Sequence, residues 1–201
     1  MAGQVAIRVA EPKDAKRLQA LYAPYVEKTA ITFEYEIPSA EEFGRRIEAV
    51  LKRYPYLTAY ADGELLGFAY AGVFKERAAY GWAVETSIYV DGARKRCGVG
   101  RKLHDALESA LREQGILNMN ACIGCPPNGQ DDEYLTMDSI RFHSRMGYRM
   151  VGEFYRCGYK FDRWYNMAWM EKQIGRHEEK QAPVKTFESV RGVLREKYGI
   201  E

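Results

Sequence analysis

The residues best placed to do chemistry run from Lys95 to Gly100, where Lys-Arg-Cys-Gly-Val-Gly leads directly into a helical pattern. Upstream, Val84, Ile88, Tyr89 and Val90 carry the β-branched and aromatic signature of a strand. Downstream, Val99, Leu103, Ala106, Leu107, Ala110 and Leu111 recur at helical spacing. A glycine-containing turn that opens a helix leaves backbone N–H groups unpaired at the positive end of the helix dipole. Such groups hold a phosphate or pyrophosphate. Glycine lets the backbone approach the anion, and Arg94, Lys95, Arg96 and Arg101 add charge around it. Gly-x-Gly at a helix start also occurs merely to turn a chain. Two other nucleotide loops are excluded. The dinucleotide fingerprint needs a third glycine where Leu103 stands. The Walker loop needs a longer spacing and Lys-Ser or Lys-Thr, where Arg101-Lys102 stands.

The elements that must position this turn fit into 201 residues, enough for one buried core and an appendage. With 30 basic and 28 acidic residues the net charge is +2, which gives no broad cationic face for nucleic acid and no polybasic membrane anchor. No apolar run approaches the ~20 residues of a bilayer span, and the first residues lack a signal-peptide core. The expectation is a soluble, cytoplasmic protein without nucleic-acid or membrane partners. Cys122 and Cys125 form a lone C-x-x-C with no second pair or spaced histidines, so no metal site is expected and the four cysteines read as reduced structural thiols.

In chain order, Val5 to Val9 alternates as a strand, and Pro12 opens a helix that buries Ala15, Leu18, Leu21 and Tyr22. Ser39 and Glu42 spell a capping box for a helix burying Phe43, Ile47, Val50 and Leu51. Residues 56–61 and 64–71 are strands joined by Asp62-Gly63, a strong hairpin signal. The central strand and helix follow. Then come a strand at 118–124, a turn-rich loop, a short helix at 139–146 stopped by Gly147, and a hairpin of 149–159 with 164–172. The order is β, two helices, three strands, helix, strand, helix, two strands. That is a single α/β (α+β) domain over 1–173 with a mixed, largely antiparallel sheet. Residues 174–201 read as a charged linker and a helix that packs on its own domain or on a partner subunit.

The loop pattern Arg/Gln-x-x-Gly-x-Gly resembles motif A of the GNAT acetyltransferases, with Lys95 in the Gln/Arg place. The element order resembles the GNAT fold, whose central strand pair splays and whose helices cover both faces. The run Tyr54-Pro55, Asp62-Gly63, Ala69-Tyr70-Ala71-Gly72, Lys75-x-Arg77, Ala79-Tyr80, Trp82 and Val84-Glu85 is similar to the phosphinothricin and methionine sulfoximine acetyltransferases of that family. Ile123-Gly124, Phe142-His143, Met146-Gly147-Tyr148, Gly158-Tyr159-Lys160 and Trp164 continue it in order. The segment 128–139 is longer than the resemblance implies.

The resemblance implies acetyl-CoA as cosubstrate, an amine acceptor, a homodimer, and a detoxifying or resistance role. It assigns the pyrophosphate to Lys95, Arg96, Cys97, Gly98, Val99, Gly100 and Arg101, and the pantetheine arm to the strand of Ile88, Tyr89 and Val90. Asn128 is assigned to the coenzyme as well. Alone, Glu85 reads as a strand-end glutamate facing solvent; the resemblance makes it the general base. His143 is a second catalytic candidate, assisting proton transfer or touching the acceptor, against a reading as a packed helix histidine. Tyr155 and Tyr159 are weaker candidates for protonating the leaving thiolate, and His104 and His177 read as surface residues. Phe33, Tyr70, Lys75, Arg77, Tyr80, Gly124 and Trp164 are the implied acceptor site, with Arg77 suited to a bidentate carboxylate grip. Two other readings stay open: a different amine (polyamine, antibiotic, peptide N-terminus) or a non-catalytic coenzyme-A-binding module.

Overall fold

A computed structural model of the chain describes residues 4–94 and 97–201. The expected coenzyme contacts Lys95 and Arg96 lie outside the described residues. Strand β1 (Ala6–Val9) leads through a 3-10 turn at Pro12–Asp14 into α1 (Ala15–Lys28), then α2 (Ala40–Leu51). Ser39 Oγ accepts from the Glu42 N–H at 3.1 Å and caps α2. The Glu42 carboxylate does not complete the box; it binds Arg45 and Arg46 instead. Strands β2 (Tyr56–Ala61) and β3 (Glu64–Val73) join through Asp62 and Gly63, both at positive φ (51° and 79°), the tight hairpin that the dipeptide predicts.

Next come β4 (Ala83–Val90), α3 (Val99–Gln114), β5 (Asn118–Cys125), α4 (Asp138–Arg145), β6 (Arg149–Lys160), β7 (Arg163–Gln173) and α5 (Phe187–Tyr198). Cys125, expected in the turn, closes β5. The seven strands form one sheet in the order β1-β2-β3-β4-β5-β7-β6. Every pairing is antiparallel except β4 with β5, whose parallel ladder covers only Ala83–Glu85 against Asn118–Asn120. Side chains take over where it stops: Thr86 Oγ1 donates to the Asn120 carbonyl at 3.2 Å, and Asn120 Nδ2 donates to the Val84 carbonyl at 3.1 Å. Past that point the strands diverge, which is the splay that the resemblance implies.

Strand alternation sorts the side chains between two cores. On one face, Leu18, Tyr22 and Val26 of α1 and Phe43 and Ile47 of α2 cover Tyr56 and Phe68. On the other, Leu103, Leu107 and Leu111 of α3 cover Val84, Met119 and Ala121. Phe187, Val190, Leu194 and Ile200 join this second core, so the final helix packs on its own chain. Lys197 Nζ and Tyr198 Oη both donate to Glu113 at 2.8 Å, and the Glu201 N–H donates to the Ile7 carbonyl at 3.2 Å, tying the tail to α3 and β1. Among the described residues no helix is long and apolar enough to cross a membrane.

Candidate active site

Glu85 stands on β4 opposite Gly72 of β3 and beside Asn120 of β5, at the last rung before the splay. Its side chain points to the face covered by α1 and α2, with Ser87, Tyr70 and Cys122. Burial pushes its carboxyl above the ordinary glutamate range, and the Lys75 ammonium pulls it partly back. Nothing occupies the space where a Cβ on Gly72 would stand, so the surface beside the carboxylate is open.

Between the diverging strands runs a narrow slot of about 50 Å³, lined on one side by Thr86, Ser87, Ile88 and Tyr89 and on the other by Ala121, Cys122, Ile123 and Gly124, with Ser139 and His143 at its edge. Residues of both alternating sets line it, so the slot passes through the sheet. Ser87, Tyr89, Cys122 and Gly124 belong to the Glu85 face, while Thr86, Ile88 and His143 belong to the α3 face. A larger groove of about 600 Å³ lies between α1 and the β2–β3 turn, yet it contains neither Glu85 nor His143. Volume alone does not locate the chemistry.

The edge of β4 facing the slot supplies backbone groups. Tyr25 Oη donates to the Val90 carbonyl and accepts from the Val90 N–H at 3.2 Å, so the peptide groups of Val90 turn away from β3. By alternation those of Ile88 do the same and face the slot. Gly98 caps α3 at φ 80°, a left-handed conformation that favours glycine. The first i−4 bond of α3 runs from the Lys102 N–H to the Gly98 carbonyl at 3.1 Å, so the N–H groups of Val99, Gly100 and Arg101 precede the helical ladder. Asn128 lies in an exposed turn just past β5.

His143 is 4 % exposed, and its Nδ1 lies 2.8 Å from the Ser139 carbonyl. A carbonyl only accepts, so Nδ1 carries the proton and Nε2 keeps its lone pair in the neutral ring. Burial lowers the pKa of the ring below that of free histidine, and the Ser139 bond opposes the shift. At neutral pH His143 is therefore a proton acceptor rather than a donor.

His104, expected at the surface, is buried at 3 % exposure with its pKa lowered to about 4 by desolvation. Its place one turn after Gly100 and one before Leu107 puts it on the inward stripe of α3, a signal present in the helical spacing. Its Nε2 lies 3.3 Å from Tyr148 Oη, which in turn lies 3.5 Å from Thr86 Oγ1. This chain of contacts braces β4 at the start of the splay. His177 is exposed, as expected.

On the Glu85 face the structure gathers some of the expected acceptor residues and leaves others out. Phe33 packs over Gly124 and Gly158: a Cβ on Gly158 would meet its ring at 2.5 Å. Tyr70 pairs in register with Ser87. The Lys75 ammonium lies 5.2 Å from the Phe74 ring and 5.5 Å from the Trp169 ring. Trp169 and Met167 pair with Cys122 and Gly124, so they face Glu85; alternation turns Trp164 the other way. Trp164 is 53 % exposed at the β6–β7 tip, against Tyr159. Arg77 and Tyr80 lie on an exposed 3-10 turn next to Lys75. Tyr155 and Tyr159 are exposed, and Tyr159 Oη donates to Asp162. Trp169 and Tyr25 escaped the sequence reading. Alternation along β7 puts Trp164 and Trp169 on opposite faces without saying which one meets Glu85, and no local signal marks Tyr25, whose partner is 65 residues away.

The family model described as an acetyltransferase (GNAT) domain matches residues 7–169. The phosphinothricin N-acetyltransferase of Streptomyces viridochromogenes is 31% identical over 170 residues, covering 85% of this chain and 88% of the relative. The L-methionine sulfoximine/L-methionine sulfone acetyltransferase of Salmonella typhimurium is 28% identical over 172 residues, covering 85% and 95%. Among solved structures, a phosphinothricin acetyltransferase from Sinorhizobium meliloti in complex with acetyl-CoA superposes with a TM-score of 0.79 at 28% identity, over 91% of this chain and 98% of that one.

Proposed function

The chain belongs to the GNAT acetyltransferases, and we propose that it transfers the acetyl group of acetyl-CoA directly to the amine of a small amino-acid-like acceptor, with Glu85 as general base. The observation that carries this reading is the slot through the sheet, with a carboxylate of raised pKa on one face and the helix N-terminus of α3 beyond the other end of β4. The phosphinothricin and methionine sulfoximine acetyltransferases among its relatives support the acceptor class.

Binding begins at α3, where the N–H groups of Val99, Gly100 and Arg101 receive the pyrophosphate together with Cys97, Gly98 and the charged residues Lys95 and Arg96. The pantetheine arm lies in the slot along Ile88, Tyr89 and Val90, with Asn128 at the rim. The acceptor enters from the α1–α2 face, between Phe33, Tyr70 and Gly124, and its carboxylate meets Lys75, with Arg77 and Tyr80 alongside. Glu85 takes a proton from the ammonium, which frees the nitrogen lone pair. The nitrogen attacks the thioester carbonyl, and the oxyanion is held by the Ile88 N–H. The attacking nitrogen becomes cationic and gives up a second proton to solvent, and collapse then forms the neutral amide and breaks the C–S bond, expelling the thiolate on the His143 face. His143, neutral and holding its one proton on Nδ1 against the Ser139 carbonyl, has none to give from Nε2, so solvent protonates the thiolate. Lys75 also disfavours polyamine acceptors through like-charge repulsion.

Release of free coenzyme A across a panel of amines tests this reading. Methionine sulfoximine is expected to outrun spermidine; the reverse order would remove Lys75 from acceptor binding. The pH profile tests the base. Only ionised Glu85 accepts a proton, so the acid limb of kcat/KM is expected above the ordinary glutamate range. Lys75→Met removes the charge that holds this pKa down, and the limb is expected to move to still higher pH. A limb that stays put or moves to lower pH would separate Lys75 from Glu85.

The resembled enzymes also imply a homodimer. In its support, Met150, Val151, Phe154, Tyr155, Tyr159 and Trp164 are large apolar side chains exposed on β6–β7, and β6 is an edge strand of the sheet. A second copy covering this hairpin accounts for them. Light scattering should give twice the chain mass, and Phe154→Lys with Tyr155→Glu should give the single mass. A wild-type monomer at micromolar concentration would overturn the dimer.

A further inference from the structure

Above Tyr70, on the same face as Glu85, α2 roofs a cavity of about 240 Å³ that the mechanism does not use. Its walls are aromatic. Tyr56 stacks on Phe68 at 5.8 Å and on Tyr70 at 4.9 Å, with interplanar angles of 20° and 17°, and Phe43 meets Phe68 edge-on at 6.3 Å. Ala49 and Arg46 stand at its exposed rim on α2.

Two polar side chains that line it, Arg46 and Tyr22, are already engaged. Arg46 donates to Glu34 Oε1 at 2.8 Å and to Glu42 Oε1 at 3.1 Å. Tyr22 Oη donates to Glu34 Oε2 at 2.8 Å and contacts Thr32 Oγ1 at 2.7 Å. An anionic group entering the cavity would have to break these pairs or face Glu34 in an apolar chamber, at a cost that an uncharged ring does not meet. The size suits a ring: a protein cavity of roughly 150 Å³ holds benzene.

The cavity lies within reach of the reacting amine. Tyr70, one of its walls, pairs in register with Ser87, the next residue after Glu85 on this face. Tyr70 precedes Gly72, the partner of Glu85, by two strand positions, or about 7 Å. That is the span from the α-amine of an amino acid to the far side of an aryl side chain.

Resting on the acetyltransferase reading above, we infer that this cavity is the side-chain subsite of the acceptor, and that the preferred acceptor is an α-amino acid with a neutral aromatic side chain. The anionic side chain of phosphinothricin fits the cavity poorly, so the chain differs in preference from the relatives that carry that name.

The test is coenzyme A release with L-phenylalanine, L-tryptophan, L-methionine sulfoximine and phosphinothricin, for wild type and Ala49→Trp, which fills the cavity from its rim. The aryl amino acids should exceed phosphinothricin by tenfold or more in kcat/KM. Ala49→Trp should cut the aryl-to-sulfoximine ratio by tenfold or more. Independently of turnover, indole should raise the melting temperature of wild type but not of Ala49→Trp. Turnover of phosphinothricin equal to that of the aryl acids, with the ratio unmoved by Ala49→Trp and no stabilisation by indole, would overturn this inference and leave the acetyltransferase reading standing. No release with any of the four would overturn both.

Discussion

Glu85→Gln is expected to lower kcat/KM for the acceptor by roughly a hundred- to ten-thousand-fold, the range that a positioned general base supplies. Gln keeps the size and the strand position of Glu85 but accepts no proton. The substitution should leave the KM for acetyl-CoA near its wild-type value, because the proposed coenzyme contacts lie at the other end of β4 and on α3. The residual rate should climb with pH as the free amine becomes abundant, and the acid limb set by Glu85 should vanish. Unfolding is not the cause, for a reason of sign. A carboxyl whose folded pKa is raised adds stability only at low pH and loses it as the pH climbs through that raised pKa. At neutral pH the buried carboxylate is therefore a cost, and the melting temperature of Glu85→Gln should equal or exceed wild type. Wild-type turnover in this variant would remove Glu85 from the chemistry.

Lys160→Met should have the largest effect on stability. Lys160 is 3 % exposed, and its ammonium donates to the Val26 carbonyl at 2.7 Å and the Thr32 carbonyl at 2.9 Å. The first is an end carbonyl of α1 that no helical N–H reaches, and the second lies in the segment that carries Phe33. One side chain of β6 thus closes the α1–α2 connection over the proposed acceptor site, assisted by Tyr35 Oη donating to the Tyr159 carbonyl at 2.5 Å. Methionine fills the space but leaves two buried carbonyls unpaired. Each charged hydrogen bond is worth about 1.5–3 kcal/mol, offset by the desolvation that the ammonium no longer suffers. A net loss of about 3 kcal/mol lowers the melting temperature by roughly 6–12 °C in a chain of this size. The KM for the acceptor should rise severalfold while that for acetyl-CoA stays. A melting point and acceptor KM both at wild-type values would show that the closure is redundant.

Much of this was legible from residue order, and the reasons differ by element. The Asp62-Gly63 hairpin, the Ser39 cap and the Gly147 stop after α4 are set by local backbone chemistry, so composition at a few adjacent positions was enough. The splay did not follow from the β4 or β5 sequence, since it depends on Thr86 and Asn120 trading a ladder for side-chain bonds across strands 34 residues apart. Burial of His104 was written in the period of α3 but lost to the prior that histidine is a surface residue. Trp164 and Trp169 are equally aromatic and five positions apart; only the register with β5 tells which one faces Glu85. The clamp from Lys160 to the α1 end joins residues 134 apart and has no sequence signature, because a lone lysine reads as solvated.

The central claim is direct transfer within one slot, with the amine on the Glu85 face. Rapid mixing of enzyme, acetyl-CoA and methionine sulfoximine or phenylalanine, followed by mass analysis of small molecules and intact protein, tests it most directly. Free coenzyme A and N-acetylated acceptor should appear in equal amounts, only when both substrates are present, while the protein mass stays unchanged. Coenzyme A released without acetylated acceptor, or an acetyl group on the protein after mixing with acetyl-CoA alone, would contradict direct transfer.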